Sequence, residues 1–171
     1  MKTILILITA LTISGFTYAQ DFSRYENKPG ISSVVINKNM FKLMSRFDLD
    51  SQDKEIQEYM KLIENLEDIK IFKTNDEQMR NELNADAESY VLKNNLEELM
   101  RAQEDGKKIS FMFKPGKTDD EIKQLFMHIN GIDDDNETIV IIINGLIDLR
   151  QVSKLAKDLK VPGADSINSN Q

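Results

Sequence analysis

Between Leu96 and Asn144 lie four short runs, "LEELMRAQ", "KKISFMFK", "EIKQLFMHIN" and "ETIVIIIN", set apart by turn-forming residues. Asp105-Gly106 divides the first two, Pro115-Gly116 the middle two, and "GIDDDN" the last two. Glycine and asparagine reach positive φ with little steric penalty and proline fixes φ, so such stretches reverse the chain. Runs joined by tight reversals pair with their neighbours, which predicts an antiparallel meander for this half of the chain. The first run is also compatible with a helix. The last has no polar phase from Ile139 to Ile143, which predicts a strand covered on both faces, or nearly so.

The N-terminal half alternates. "SSVVINK" (32–38) and "IKIFKT" (69–74) are rich in β-branched residues and read as strands. Met40, Leu43, Met44 and Phe47 recur at helical spacing, and so do Ile56, Tyr59, Met60, Ile63 and Leu66 behind a cap at Asp50 or Ser51. A third helix carries Met79, Leu83, Ala87 and Tyr90, with Asn75 and Gln78 as a capping pair and Asn94-Asn95 as its end. A last helix, capped by Asp148 with Gln151, carries Leu149, Val152, Leu155, Ala156 and Leu159. The expected class is α+β: a two-layer sandwich, its sheet mostly antiparallel with about six strands, and helices on one face. Residues 20–31 read as a polar lead-in, 32–159 as one domain and 160–171 as a flexible tail.

The first nineteen residues, "MKTILILITALTISGFTYA", follow one positive charge with a short apolar run and close on Thr17-Tyr18-Ala19. That is the plan of a cleavable export signal, with cleavage expected before Gln20. The run from Ile4 to Ile13 is too short to cross roughly 30 Å of hydrocarbon as a helix. No cysteine follows it, so no lipid anchor is expected, and no later stretch is long and apolar enough to span a membrane. The expected location is the periplasm or the extracellular space. The absence of cysteine also rules out thiol catalysis and disulfide staples. A net charge of −7 without a dense Lys/Arg stripe disfavours nucleic acid as a partner.

Chemistry-bearing motifs are scarce. Asp133, Asp135 and Glu137 are the candidate calcium ligands, since hard cations take closely spaced carboxylates. The same stretch lacks a glycine at the central turn position and a bidentate glutamate at loop spacing, and a hairpin tip needs polar residues in any case. "DLDSQDKE" (48–55) fits two positions of a calcium loop, but Asp53 and Tyr59 stand where glycine and the closing glutamate belong. His128 is the only histidine and shares a strand phase with Phe126, which predicts a partly buried or rim residue. Sequences of the GxSxG, HExxH and phosphate-loop kinds are absent. The acids at Glu97-Glu98 and Asp119-Asp120-Glu121 lack the aromatic platforms common in glycosidases, there being no tryptophan. The methionines fall on core stripes. No catalytic residue and no cofactor are expected.

In "MFKLMS", "IENLEDIKIF", "LEELMRAQEDGKKISFMFK" and above all "TIVIIINGLIDLRQVSKLA", the chain resembles domain of unknown function 4252, a family of small exported proteins of Gram-negative bacteria. The likeness covers roughly residues 32–159. It brings no activity and no catalytic residues to carry over, while family genes beside sigma-factor genes imply envelope signalling. The expectation is therefore a non-enzymatic binding or interaction module of the cell envelope, with an envelope protein as partner. Its working surface would be the sheet face not covered by helices, or the exposed edge of the meander, with contributions from residues out of phase with the core such as Ser110, Met112 and Lys114. The alternative is a carboxylate-based hydrolase, or a calcium-dependent binder using the acidic tip at 133–137.

Overall fold

In the computed structural model, residues 22–47, 57, 60, 63–104, 106–132 and 136–148 are described. Six strands, β1 (Ser32–Asn37), β2 (Leu66–Thr74), β3 (Glu97–Glu104), β4 (Lys107–Pro115), β5 (Glu121–Ile132) and β6 (Glu137–Asp148), form one sheet in the order β1-β2-β6-β5-β4-β3. Every adjacent pair is antiparallel. The expected α+β class and antiparallel sheet are what the chain forms. All four runs of the second half are strands, "LEELMRAQ" included, with Gly106 at φ 82° in the first reversal and Gly131 at φ 83° at a register shift within β5.

Two helices have full bounds among the described residues, α1 (Lys38–Phe47) and α2 (Glu77–Lys93). Of the expected Ile56–Leu66 helix, residues 57, 60, 63 and 64 are helical, whereas Leu66 already opens β2. The expected last helix lies outside the described residues beyond Asp148, which ends β6.

α2 explains the strand order. Its 17 residues extend roughly 25 Å, enough to carry the chain from β2 across four strand spacings of roughly 4.8 Å each to the far edge. The meander then returns β6 against β2. The helix starts one residue later than the sequence suggests. Asp76 is its N-cap, with Oδ1 accepting from Met79 N at 2.9 Å. It stops where expected: Asn95 takes φ 51°, and Leu96 N donates to Val91 O at 3.0 Å.

Strand alternation gives the sheet two faces. On the first, Phe72, Phe126, Val140 and Ile142 pack under Leu83 and Ala87 of α2. On the second, Ile109, Phe111, Leu125 and Ile147 are buried, and Phe41 of α1 joins them beside Leu66. β6 shows the inequality of the two faces: Val140 and Ile142 are buried, whereas Ile139, Ile141 and Ile143 are half-buried.

The stretch read as a lead-in belongs to the first core. Phe22–Tyr25 forms a 3-10 turn whose Phe22 and Tyr25 are among the largest fully buried side chains in that cluster. Thr74 Oγ1 donates to Gly30 O at 2.6 Å and Ser33 Oγ donates to Glu26 O at 2.6 Å, so the segment is tied to β2 and β1 by hydrogen bonds. Gly30, at φ 82°, brings the chain against Met79, where a β-carbon would lie 3.2 Å from Cγ.

Candidate functional site

Cross-strand register sorts the first face into rows. One runs Phe72, Val140, His128, Ser110, Arg101; another runs Lys70, Ile142, Phe126, Met112, Glu98. The first is apolar at β2 and β6 and polar from His128 to Arg101, and the second is apolar from Ile142 to Met112 between Lys70 and Glu98. α2 covers the apolar end. Over the polar end a groove of about 500 Å³ stays open, bounded by Glu88, Val91 and Leu92 of α2 and by Arg101, Ser110, Met112 and His128 of the strands. A volume of this order suits a small ligand or a few side chains of a larger one.

The groove has an apolar wall and a polar rim. Val91 and Met112 are partly buried against the core, while Leu92 is 78% exposed at the mouth. Arg101 and Lys108 put two cations on the strand side, and Glu88 puts an acid on the helix side. Arg101 also bonds the carboxylate of Glu98, three residues earlier. Of the residues singled out from the sequence, Ser110 and Met112 line this groove, and Lys114 lies exposed further along β4.

His128 sits at the inner end. Its Nε2 donates to Asn84 Oδ1 of α2 at 2.7 Å, which fixes Nδ1 as the unprotonated nitrogen. Burial lowers its pKa from the ordinary 6.5 to about 4, so the ring is neutral at pH 7. The unfolded chain binds this proton near pH 6.5 while the folded chain resists it until about 4. The stabilisation by the neutral ring is therefore complete above pH 6.5 and is lost as pH falls toward 4. Urea unfolding at pH 7 and pH 4.5 is expected to show a loss of about 2–3 kcal/mol in the native chain beyond that in a His128→Gln variant. Equal losses in both would contradict the assignment.

Two other polar groupings lie on this face. Asn144 Nδ2 donates to Asp68 Oδ1 at 2.8 Å, and Gln124 Nε2 donates to Asn144 Oδ1 at 2.5 Å and to Tyr90 OH at 2.9 Å. Their partners are internal, which suits a structural seam between α2 and the sheet. Near the 3-10 turn, Tyr25 OH donates to Asp86 Oδ2 at 2.6 Å, with Arg24 bonded to the same carboxylate. Burial raises the Tyr25 pKa against the opposing pull of Arg24.

The acidic hairpin tip is described only in part. Asp133 and Asp135 lie outside the described residues. Glu137 opens β6 and accepts from Lys73 Nζ at 2.7 Å, an ion pair joining β6 to β2. Among the described residues no three His, Asp or Glu side chains gather as a metal site would require, and no helix is long and apolar enough to cross a membrane.

Asn84 and Glu88 of α2 and Arg101 and Asn130 of the strands went unmarked in the sequence reading. For Asn130 a signal exists, since Gln124, Phe126, His128 and Asn130 share one phase of β5. For the helix residues none does: which polar position faces the sheet depends on how far α2 is rotated about its axis.

A family model described as Domain of unknown function (DUF4252) matches residues 25–155. No curated protein matches the chain, and no solved structure does.

Proposed function

The chain belongs to the family described as Domain of unknown function (DUF4252), and on that premise we propose that it is an exported, non-enzymatic binding module of the Gram-negative cell envelope. Its working surface is the groove between α2 and strands β3 to β5. The observation that carries this reading is the groove itself: an open volume of about 500 Å³ with an apolar wall and a charged rim. General acid–base and nucleophilic catalysis need a titratable group poised to exchange a proton with substrate. His128, the only histidine of the chain, is instead neutral and hydrogen-bonded to Asn84. Export is supported by the charge, apolar run and small-residue ending of residues 1–19. The family likeness supports a place in envelope signalling.

Ser110→Trp fills the groove from its floor without removing a core side chain. Affinity capture from envelope extract is expected to recover a reproducible partner with the native chain and to lose it with this variant, both proteins showing the same melting transition. Recovery of the same species by both, or of none by either, would count against the groove as the working surface. Sequencing the amino terminus of exported protein tests the placement, with Gln20 expected first.

A further inference from the structure

The edge strand β1 and the helix that follows it form a second surface, at the sheet edge opposite the groove and independent of it. Among the described residues β1 pairs on one side only, with β2, so alternate N–H and C=O groups along its other side point away from that partner. The two edges differ in protection. β3 carries Glu97, Glu98, Arg101 and Glu104 and a register shift between Glu98 and Met100. Charges and bulges of this kind keep an edge from pairing with another chain. β1, "SSVVIN", has no charge, no proline and no break in its register.

Exposed apolar side chains concentrate in the same place. Six large hydrophobic residues are exposed among the described residues, and Val34, Val35, Met40 and Leu43 account for four of them. Val34 is 50% and Val35 43% exposed. Such clustering marks an interaction surface, unlike apolar residues scattered singly. The charge of the segment is also distinct: Lys38, Lys42 and Arg46 are exposed, and no acidic residue lies between Ser32 and Phe47, in a chain of net charge −7.

We propose that β1 and α1 dock an extended acidic segment of a partner protein. The segment adds to the sheet as a strand beside β1, its apolar side chains beside Val35 on one face and its carboxylates on the other, which is the face of Val34, toward the basic residues of α1. Outward backbone groups call for a polypeptide, because only another strand satisfies them in series. A lipid surface would bury Val34 and Val35 while leaving those groups without partners in hydrocarbon. A second copy of this chain could pair about a two-fold axis at Val35, setting Val34 against Ile36 of the other copy. That axis, normal to the sheet, would place two α1 helices on one face, each with three basic and no acidic residues. Like charge disfavours that pairing and favours an acidic strand.

The test uses the purified chain with a peptide of about ten residues alternating valine with glutamate, the same peptide with lysine for glutamate, and phosphatidylglycerol vesicles. The glutamate peptide is expected to bind, to slow hydrogen exchange at β1 amides and to weaken with added salt, and the lysine peptide is expected not to bind. Val35→Glu should weaken the glutamate peptide about tenfold, the scale of a lost apolar cross-strand contact with a charge in its place. Should that variant fail to fold, the triple change K38E/K42E/R46E on exposed helix positions decides, by reversing the preference between the peptides. Four results would overturn the proposal: no peptide binding, equal binding of both peptides, vesicle binding without peptide binding, and dimerisation that itself protects β1. Filling the groove with Ser110→Trp should leave peptide binding unchanged.

Discussion

Replacing Phe22 by alanine is expected to lower the free energy of unfolding by about 3–5 kcal/mol, the range for removing a fully buried phenylalanine ring. The ring is 2% exposed and lies between 5.2 and 6.0 Å, centroid to centroid, from those of Tyr25, Phe72, Tyr90 and Phe126. These four come from the 3-10 turn, β2, α2 and β5, so Phe22 joins elements that are distant in the chain. Its removal leaves a cavity roofed by a short turn and floored by strands, and the strands are held by ladder hydrogen bonds that resist collapse. Domains of this size have roughly 5–15 kcal/mol in hand, so the variant should have a much lower urea midpoint with an unchanged slope. A solvated lead-in would give a change within about 0.5 kcal/mol. That outcome would remove the turn from the core.

Gly145→Ala should be comparably severe, about 3 kcal/mol or more, as expected of a steric conflict between backbones. Gly145 lies in β6 opposite the shift in register between Leu66 and Asp68 of β2, with φ 143°. A β-carbon there would stand 2.5 Å from Asn65 O and 2.7 Å from Leu66 Cα. Those are backbone atoms and cannot rotate away as a flexible side chain would. Relief requires opening the β2–β6 pair, where Leu146 N donates to Asn65 O at 3.1 Å. Gly106→Ala is the matching control. It also has positive φ, 82°, but a β-carbon would meet nothing within 4 Å. It should lose only the backbone penalty of about 1–2 kcal/mol. Thermal melts giving equal losses in the two variants would remove the steric explanation for Gly145.

The sheet was legible in the sequence to an unusual depth because its connections are short. Gly106 and Pro115-Gly116 specify reversals locally, and a tight reversal leaves two strands little choice but to pair. The start of α2 was misplaced by one residue because Asn75 and Asp76 are both capable caps, and only the geometry of the first turn selects Asp76. The lead-in was misread for a different reason. Phe22 and Tyr25 are apolar positions among Asp21, Ser23, Arg24, Glu26 and Asn27, and so short a stretch has no periodicity to show. Of the candidate site, Ser110, Met112 and His128 were marked by strand phase. Their opposing wall, Asn84, Glu88 and Leu92, was not.

What the sequence by itself determined is therefore local: strand after strand from β3 to β6, the end of α2 at Asn94-Asn95, and the exclusion of thiol chemistry. Alternation, turns and residue counts are properties of neighbours along the chain, and they persist whatever the rest of the molecule does. Tertiary structure decided the rest. It seated β6 beside β2, put Phe22 at the centre of the first core, and set α2 over only part of the sheet so that a groove remained. It also left β1 as an uncharged edge. Each of these depends on contacts between segments far apart in sequence, whose stability comes from buried area and close packing.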